Sequence, residues 1–463
     1  MLTSTKYIFG FVAGVALLWG AWFLAVQQNQ TPMWKQYQQQ YFQQTGQPAD
    51  IAVRQIVPQM TGKPELCVSC HIGLQEISSS HPVEVFGCVS CHGGNPLTLE
   101  ADQAHIGLRG GKNPSDLTVV AQSCGQGCHS GTPDPSKNHV ESVRRSLQAT
   151  YAGGIAAVRF AFGAQSDALP QYGVFAVTDN DGITTAHGLS KLDAFPHTSD
   201  NPIDIKFAKN CLDAGCHLSE PARAEPYFYR ATGCAACHVL YGNDGLYQGD
   251  DPTIPHDEPG HMQSHQFTTA IPYTQCNHCH NRGNYSLRQM DFLLRDDLPP
   301  LGAPLSDQMP DEGRRLIEYY QPIGEFTLCE WELDCIDCHT AQEAMGDGDI
   351  HPNQQEMQYT QCQTCHGTLE TLPNISTVTT ADTTVLRQAA LNPNYQLHVG
   401  DQVIKTSRGE LLGHVKLIDG QYILTSKVSG VQYPFNPVKG SGCQQDGSRQ
   451  DSAYCHQCHT YQR

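Results

Sequence analysis

The sequence predicts a mostly irregular and α-helical chain with little regular secondary structure, headed by one transmembrane helix and carrying a small antiparallel β insertion near the C-terminus. Three observations lead there. Hydrophobic residues make up only 39% of the 463 residues, while glycine and proline number 42 and 28, so loops are plentiful and apolar material for a protein core is short. Residues 7–26 form an uncharged apolar run of about the 20 residues a helix needs to cross a bilayer. Residues 395–435 alternate or cluster apolar side chains in QVIKT, LLGHVKLI and QYILTSKV, separated by Arg408-Gly409 and Asp419-Gly420, which is the pattern of strands and turns.

Taken in order, residues 1–6 form a cytoplasmic stub whose Lys6 gives a weak positive-inside cue. A cleaved secretory signal would have a shorter apolar region and small residues at its cleavage site. Here the run ends Trp22-Phe23-Leu24-Ala25-Val26, so a retained anchor over 7–26 is expected, and either reading sends the remaining chain out of the cytoplasm. Gly10 and Gly14 offer a small-xxx-small seat for a partner helix, a pair common in such spans by chance. Residues 27–60 supply a juxtamembrane helix and linker. Thr31-Pro32 reads as the helix start, and Trp34, Tyr37, Tyr41 and Phe42 then share one face, which packs on the protein itself or lies at the membrane surface.

The rest of the chain is organised by one repeated run, first seen as Cys67-Val68-Ser69-Cys70-His71. Cys-x-x-Cys-His is the attachment signature of c-type haem: two thiols bond the porphyrin and the adjoining histidine is held beneath the iron. Seven runs have this spacing: Cys67/Cys70/His71, Cys88/Cys91/His92, Cys234/Cys237/His238, Cys276/Cys279/His280, Cys335/Cys338/His339, Cys362/Cys365/His366 and Cys455/Cys458/His459. Two are stretched, Cys124/Cys128/His129 and Cys211/Cys216/His217. Numbered along the chain, these are sites 1 to 9, with Cys124 opening site 3 and Cys211 site 4. Zinc is the competing use of Cys-x-x-Cys pairs, but it gives no reason for a histidine directly after every second cysteine. Nine porphyrins also supply apolar bulk that the composition lacks.

The sites divide the chain into 61–165 (sites 1–3 and a following helix over 138–162), 166–295 (sites 4–6, with a hairpin across Tyr172–Val177 and Ile183–Thr185) and 296–463 (sites 7–9, with a short helix near 311–320 and the β insertion at about 395–435). Of the 20 cysteines only Cys329 and Cys443 are left over, and in an oxidising compartment a disulfide is the usual fate of a spare pair.

Each iron needs a sixth ligand, and 13 histidines lie outside the attachment positions, enough for every site to be bis-histidine. His81, His105, His265 and His351 rank first, followed by His139, His187, His197, His261, His398 and His414. His278 and His456 sit inside attachment loops and can serve only a neighbouring haem, and His256 is spare. The histidine supply makes methionine ligation unnecessary.

Beyond the signatures, the stretches PELCVSCHIG, HPVEVFGCVSCHGG, GCAACHVLY, SHQFTTAIPYTQCNHCHNR, LDCIDCHTAQEAMGDGDIH and ILTSKVSG resemble the membrane-anchored, periplasmic multihaem cytochromes c of anaerobic and metal- or sulfur-respiring bacteria. The resemblance covers most of the chain in patches and implies electron transfer through closed haems. The expected partners are a quinol-oxidising complex of the inner membrane and soluble or outer-membrane cytochromes. The formal charge of −18, made more negative by roughly nine to eighteen units from haem propionates, excludes nucleic acid and favours basic or mixed-charge redox partners. Two alternatives remain open. A multihaem reductase or oxidase would have one open haem, but in such families lysine replaces the attachment histidine or the gap between cysteines is much enlarged, and neither occurs here. An extracellular filament subunit would require the leading helix to be cleaved.

Overall fold

A glycine-rich, apolar-poor sequence folds into short helices joined by tight turns, and these make up most of the N-terminal half. The computed structural model describes residues 19, 31–125, 127–179, 188–212, 217–220, 232–242, 244–280, 291–294, 320–326, 333–443, 452, 455 and 459–462. The expected span over 7–26, apart from Trp19, lies outside the described residues. So do the helix near 311–320, His187, Cys216, Cys329, His456, Cys458 and the side chains of Cys211, His278, Cys279 and His280. Cys443 is half-buried, while Cys329, its expected disulfide partner, is among those undescribed positions.

The helix Met33–Thr45 begins after Pro32 and stops at Gly46, whose φ of 68° terminates it. It buries Gln38 and Phe42. The Tyr41 ring lies so close to Gly73 that a Cβ there would meet it at 2.5 Å. The Gln38 amide donates to the Ala52 and Ser69 carbonyls (2.9 and 2.8 Å) and accepts from Ala52 N (3.0 Å). The helix therefore packs on the protein itself, and Gln38 ties it to the turn that carries site 1.

The single helix expected over 138–162 is three: His139–Arg145, Leu147–Thr150 and Ala152–Ala161. Ser146 leaves the helical region (ψ 155°) and its hydroxyl accepts from Ala149 N, restarting the chain as an N-cap. Tyr151, at φ 54°, makes the second break. Of the apolar stripe along this stretch, Val140, Val143 and Ile155 are buried, Leu147 and Val158 are half-buried and Ala161 is exposed. The second strand of the expected hairpin, 183–185, lies outside the described residues. Tyr172–Gly173 (β1) and Val177–Thr178 (β2) do not pair with each other; both pair with Lys191–Ala194 (β3), one parallel and one antiparallel. Asp291–Leu294 (β4) and Tyr320–Phe326 (β5) form an antiparallel pair.

The C-terminal part holds a five-stranded antiparallel meander: Ile375–Thr377 (β6), Gln402–Lys405 (β7), Leu411–Ile418 (β8), Gln421–Thr425 (β9) and Gln432–Phe435 (β10), in the order β10-β9-β8-β7-β6. Ile404, Leu412, Val415, Tyr422 and Leu424 form its core. Asp419 and Gly420, at φ 50° and 82°, make the two-residue turn between β8 and β9, since both central positions of a type I′ turn require positive φ. Between Val403 and Ile404 the β7/β8 register slips. This leaves Gly413, His414 and Val415 in an irregularity that re-aims His414. The last strand, Thr460–Gln462 (β11), pairs with β5.

The expected fold class is thereby corrected. The β structure is no small insertion in an otherwise irregular and helical chain; it is a five-stranded antiparallel sheet with two further three-stranded sheets. The strand signal was missed upstream of 395 because β6 has only three residues and a helix, Thr383–Leu391, separates it from β7. The transmembrane helix is not supported as part of the described fold: among the described residues no helix is long and apolar enough to cross a membrane, and the expected span lies outside them apart from Trp19.

Candidate haem sites

Each described attachment run folds as a single turn that carries its cysteines and histidine on one short arc of backbone. In the regular runs the histidine N–H returns to the carbonyl of the first cysteine: His71 to Cys67 (2.9 Å), His92 to Cys88 (2.8 Å), His238 to Cys234 (3.0 Å) and His339 to Cys335 (2.8 Å). Site 3 has one residue more between its cysteines, and a wide turn, Ala121–Gly125, leads into it. His129 N still reaches the Cys124 carbonyl, at 3.1 Å, so the extra residue is taken up by a return over five residues where the regular runs use four. At site 7, Asp334 and Asp337 form a reciprocal capping box around Cys335–Cys338.

Most of the described attachment thiols are half-buried, while Cys128 of site 3 and Cys338 of site 7 are exposed. The wide turn closes at Gly125, and Gly127, at φ 78°, then swings the chain outward. Cys124 therefore packs against the protein core while Cys128 faces solvent.

The histidines show how the turns are used. His71 faces His105 with ring centres 6.2 Å apart, His92 faces His265 at 6.0 Å, and His129 faces His81 at 6.0 Å. Two imidazoles bound through nitrogens ~2 Å from one metal have ring centres ~6 Å apart, so each pair fits one iron between its rings. His139 lies 5.3 Å from His129, and its neutral form is favoured, down to a pKa of about 4, by burial and by the nearby rings of His129 and His238. This places His139 between sites 3 and 5.

A ligating histidine is oriented by what its other nitrogen bonds. His238 Nδ1 donates to the Thr268 carbonyl (2.8 Å), His265 Nδ1 to Gln75 O (3.0 Å) and His366 Nδ1 to Asn436 O (3.1 Å), while His81 Nδ1 shares a bond with Ser78 Oγ (3.0 Å). His71 Nδ1 donates to Asp251 Oδ2 (2.8 Å), with Thr253 Oγ1 at 3.0 Å. Burial opposes a charged His71, but the Asp251 carboxylate outweighs it and raises the pKa above the ordinary histidine value. In every case Nε2 is left for a metal. Sequence reasoning missed Gln75, Asp251, Thr253, Thr268 and Asn436, because nothing local marks them: each acts on a ring distant in the chain.

Other expected ligands are placed differently. His351 Nε2 is taken by both oxygens of Asp347 (3.0 Å each), whose carboxylate also accepts from Arg408. His414 Nε2 donates to the Asp337 carbonyl at 2.8 Å. His217, a site 4 attachment histidine, sends Nε2 to the Leu212 carbonyl (3.0 Å) and Nδ1 to Ser219 Oγ (2.9 Å). His398 is exposed beside Asp401, and His197 is exposed at the edge of the Phe195 ring. His256 lies edge-on to Tyr247, and His261 is half-buried near Lys112 and Glu258.

The sites are also joined to one another. The Cys67 and Cys88 thiols are hydrogen-bonded, as are those of Cys276 and Cys335. Cys91 lies near Cys124, Cys124 near Cys234, and Cys237 near Cys276. Sites 3 and 5 share one core of Leu117, Val120, Val140 and Val143, and are laced by Ala235 N to Ser115 Oγ (2.9 Å) and Thr232 Oγ1 to Asp116 Oδ2 (2.9 Å). Lys427, whose ammonium donates to the Ile336 carbonyl, lies close to both Cys338 of site 7 and Cys365 of site 8. His366 of site 8 is near His459 of site 9. Site 4 hangs beside this series, His217 stacking on Tyr151 at 5.9 Å.

Burial pushes Cys234 and Cys365 up to about 12 and Cys91 and Cys237 up to about 11, while the neighbouring thiols of Cys88 and Cys276 hold Cys67 and Cys335 below the ordinary thiol value. Two tight groups of potential ligands occur among the described residues, Glu65/Cys67/Cys88 and Asp347/Asp349/His351. Glu65 is already the acceptor for Cys88 N and Val89 N (2.6 and 3.2 Å), and Asp347 is neutralised by His351 and Arg408. No family model, curated protein or solved structure matches this chain.

Proposed function

We propose that this chain is an electron-carrying c-type cytochrome with nine haems. The observation that carries the reading is the facing of attachment histidines by remote ones at the spacing of a shared iron: His71 with His105, His92 with His265 and His129 with His81. Bound haem supplies one-electron redox chemistry, tuned by axial ligand, burial and nearby charge. The protein's part is to hold both axial imidazoles, to fix their Nδ1 partners and to set the sites side by side. An iron closed on both faces has no position for substrate, which favours carriage over catalysis. Electrons then pass between a quinol-linked partner and other redox proteins outside the cytoplasm, and the charge of −18 favours partners with basic docking faces.

Intact mass and electron paramagnetic resonance of the oxidised protein test this. The expected result is nine haems and only low-spin ferric signals. A high-spin iron that binds cyanide or nitrite would replace the carrier reading with the open-site enzyme.

A further inference from the structure

We propose that Asp251 sets the reduction potential of haem site 1, holding it below the value that a neutral acceptor on His71 would give. The inference rests on the haem reading above and concerns one residue that no attachment or ligand pattern contains.

Asp251 is wholly buried, at 0% exposure. Its Oδ2 accepts from His71 Nδ1 at 2.8 Å, and its Oδ1 accepts from Thr253 N at 2.9 Å. Among the described residues no lysine or arginine pairs with it; its ion-pair partner is His71 itself. The comparison with other sites gives this contact its meaning. His238 and His366 send Nδ1 to neutral backbone carbonyls, those of Thr268 and Asn436. A second carboxylate approaches an attachment histidine at site 7, where Glu343 Oε2 is 3.4 Å from His339 Nδ1. That carboxylate is already shared among the N–H groups of Thr340, Tyr359 and Thr360, and the Lys427 ammonium lies near the same site.

A carboxylate that accepts from Nδ1 makes the opposite nitrogen a stronger donor. An unscreened negative charge in a low-dielectric interior also favours the more positive state of the metal. Both effects stabilise oxidised iron at site 1. The link continues outward, since Tyr247, which accepts from Asp251 N at 3.4 Å, donates to Gln75 Oε1 at 3.1 Å, and the Gln75 carbonyl accepts from His265 Nδ1. One buried network thus fixes the attachment histidine of site 1 and the remote histidine of site 2.

Redox potentiometry of the haem-loaded full chain, with electron paramagnetic resonance and a haem count on the same samples, tests the proposal. In Asp251→Asn one midpoint moves positive, by a roughly tenfold change in the oxidised-to-reduced ratio at fixed potential, which is about 59 mV for one electron. One low-spin signal changes its g-spread with it, and Asp251→Glu returns both toward the parent. In Glu343→Gln that same midpoint stays put. Should Asp251→Asn fail to accumulate, Thr253→Val leaves the carboxylate as sole acceptor and moves the same midpoint negative; no movement there overturns the proposal. Nine unchanged midpoints in Asp251→Asn, or a uniform shift of all nine, overturns it while leaving the carrier reading in place. A protein that carries no haem overturns both.

Discussion

His92 and His265 face each other with ring centres 6.0 Å apart, one from an attachment turn and the other from a loop that follows site 5. The predicted consequence is spectroscopic. His265→Ala opens one face of a single iron, so one low-spin ferric signal is replaced by a high-spin one that binds cyanide, with the haem count unchanged. Electron paramagnetic resonance before and after cyanide checks it.

The five-stranded sheet is held by its buried face. Ile404 is fully buried among Leu412, Val415, Tyr422 and Leu424. Ile404→Ala is expected to cost about 2–5 kcal/mol through lost burial and the cavity left behind, measured by denaturant unfolding followed by circular dichroism.

The β8/β9 turn makes a sharper prediction. Gly420 sits at φ 82°, where a Cβ costs roughly 1–2 kcal/mol. Gly420→Val should lower stability by about that amount and Asp419→Asn should leave it nearly unchanged, both read from thermal unfolding midpoints.

Acid sensitivity has a defined sign at Asp401. Burial opposes its charge more than any single contact favours it, but the Lys416 ammonium (2.6 Å) and the His398 N–H together hold its pKa below the ordinary aspartate value. Between the folded and unfolded pKa the unfolded chain binds the extra proton, so stability is present above the unfolded value near ~3.9 and is lost as pH falls through the folded one. Solvent reaches the carboxylate and screens the pair, so the effect is small. Asp401→Asn should lower stability slightly at neutral pH and flatten the acid limb of a stability-against-pH curve below about pH 4, where variant and parent converge.

Much of the candidate site was readable because the Cys-x-x-Cys-His signature is a local rule. Cys67 to His71 and its repeats announce themselves in five residues, and the remote candidates His81, His105 and His265 stand out once the nine proposed irons need partners. Asp251 and Thr268 do not, since their role depends on where a distant loop comes to rest. Cys128 lies between these cases: its stretched spacing was plain, but the outward swing that exposes it follows from the path through Gly125 and Gly127. The sheet shows the same division. QYILTSKV and the Asp419-Gly420 turn carry their own pattern, whereas β6 is too short to show a period and its partner β7 lies beyond an intervening helix. The split of 138–162 was written in Ser146, an N-cap residue, but an apolar stripe continuous across the break concealed it.

The way His265 reaches site 2 also has a meaning in time. Under the proposed function, a chain exported from its N-terminus would present His81, His105 and His129 early, so sites 1 and 3 would find both axial imidazoles within the first stretch to emerge. Site 2 cannot, because its second imidazole follows much later, in the loop that also brings Asp251 to site 1. On that reading the N-terminal haems would mature in two stages: attachment and partial closure first, final coordination only after the middle of the chain has arrived. A product truncated before residue 251 would carry attached haem at sites 1 to 3 and still lack the finished environment of two of them.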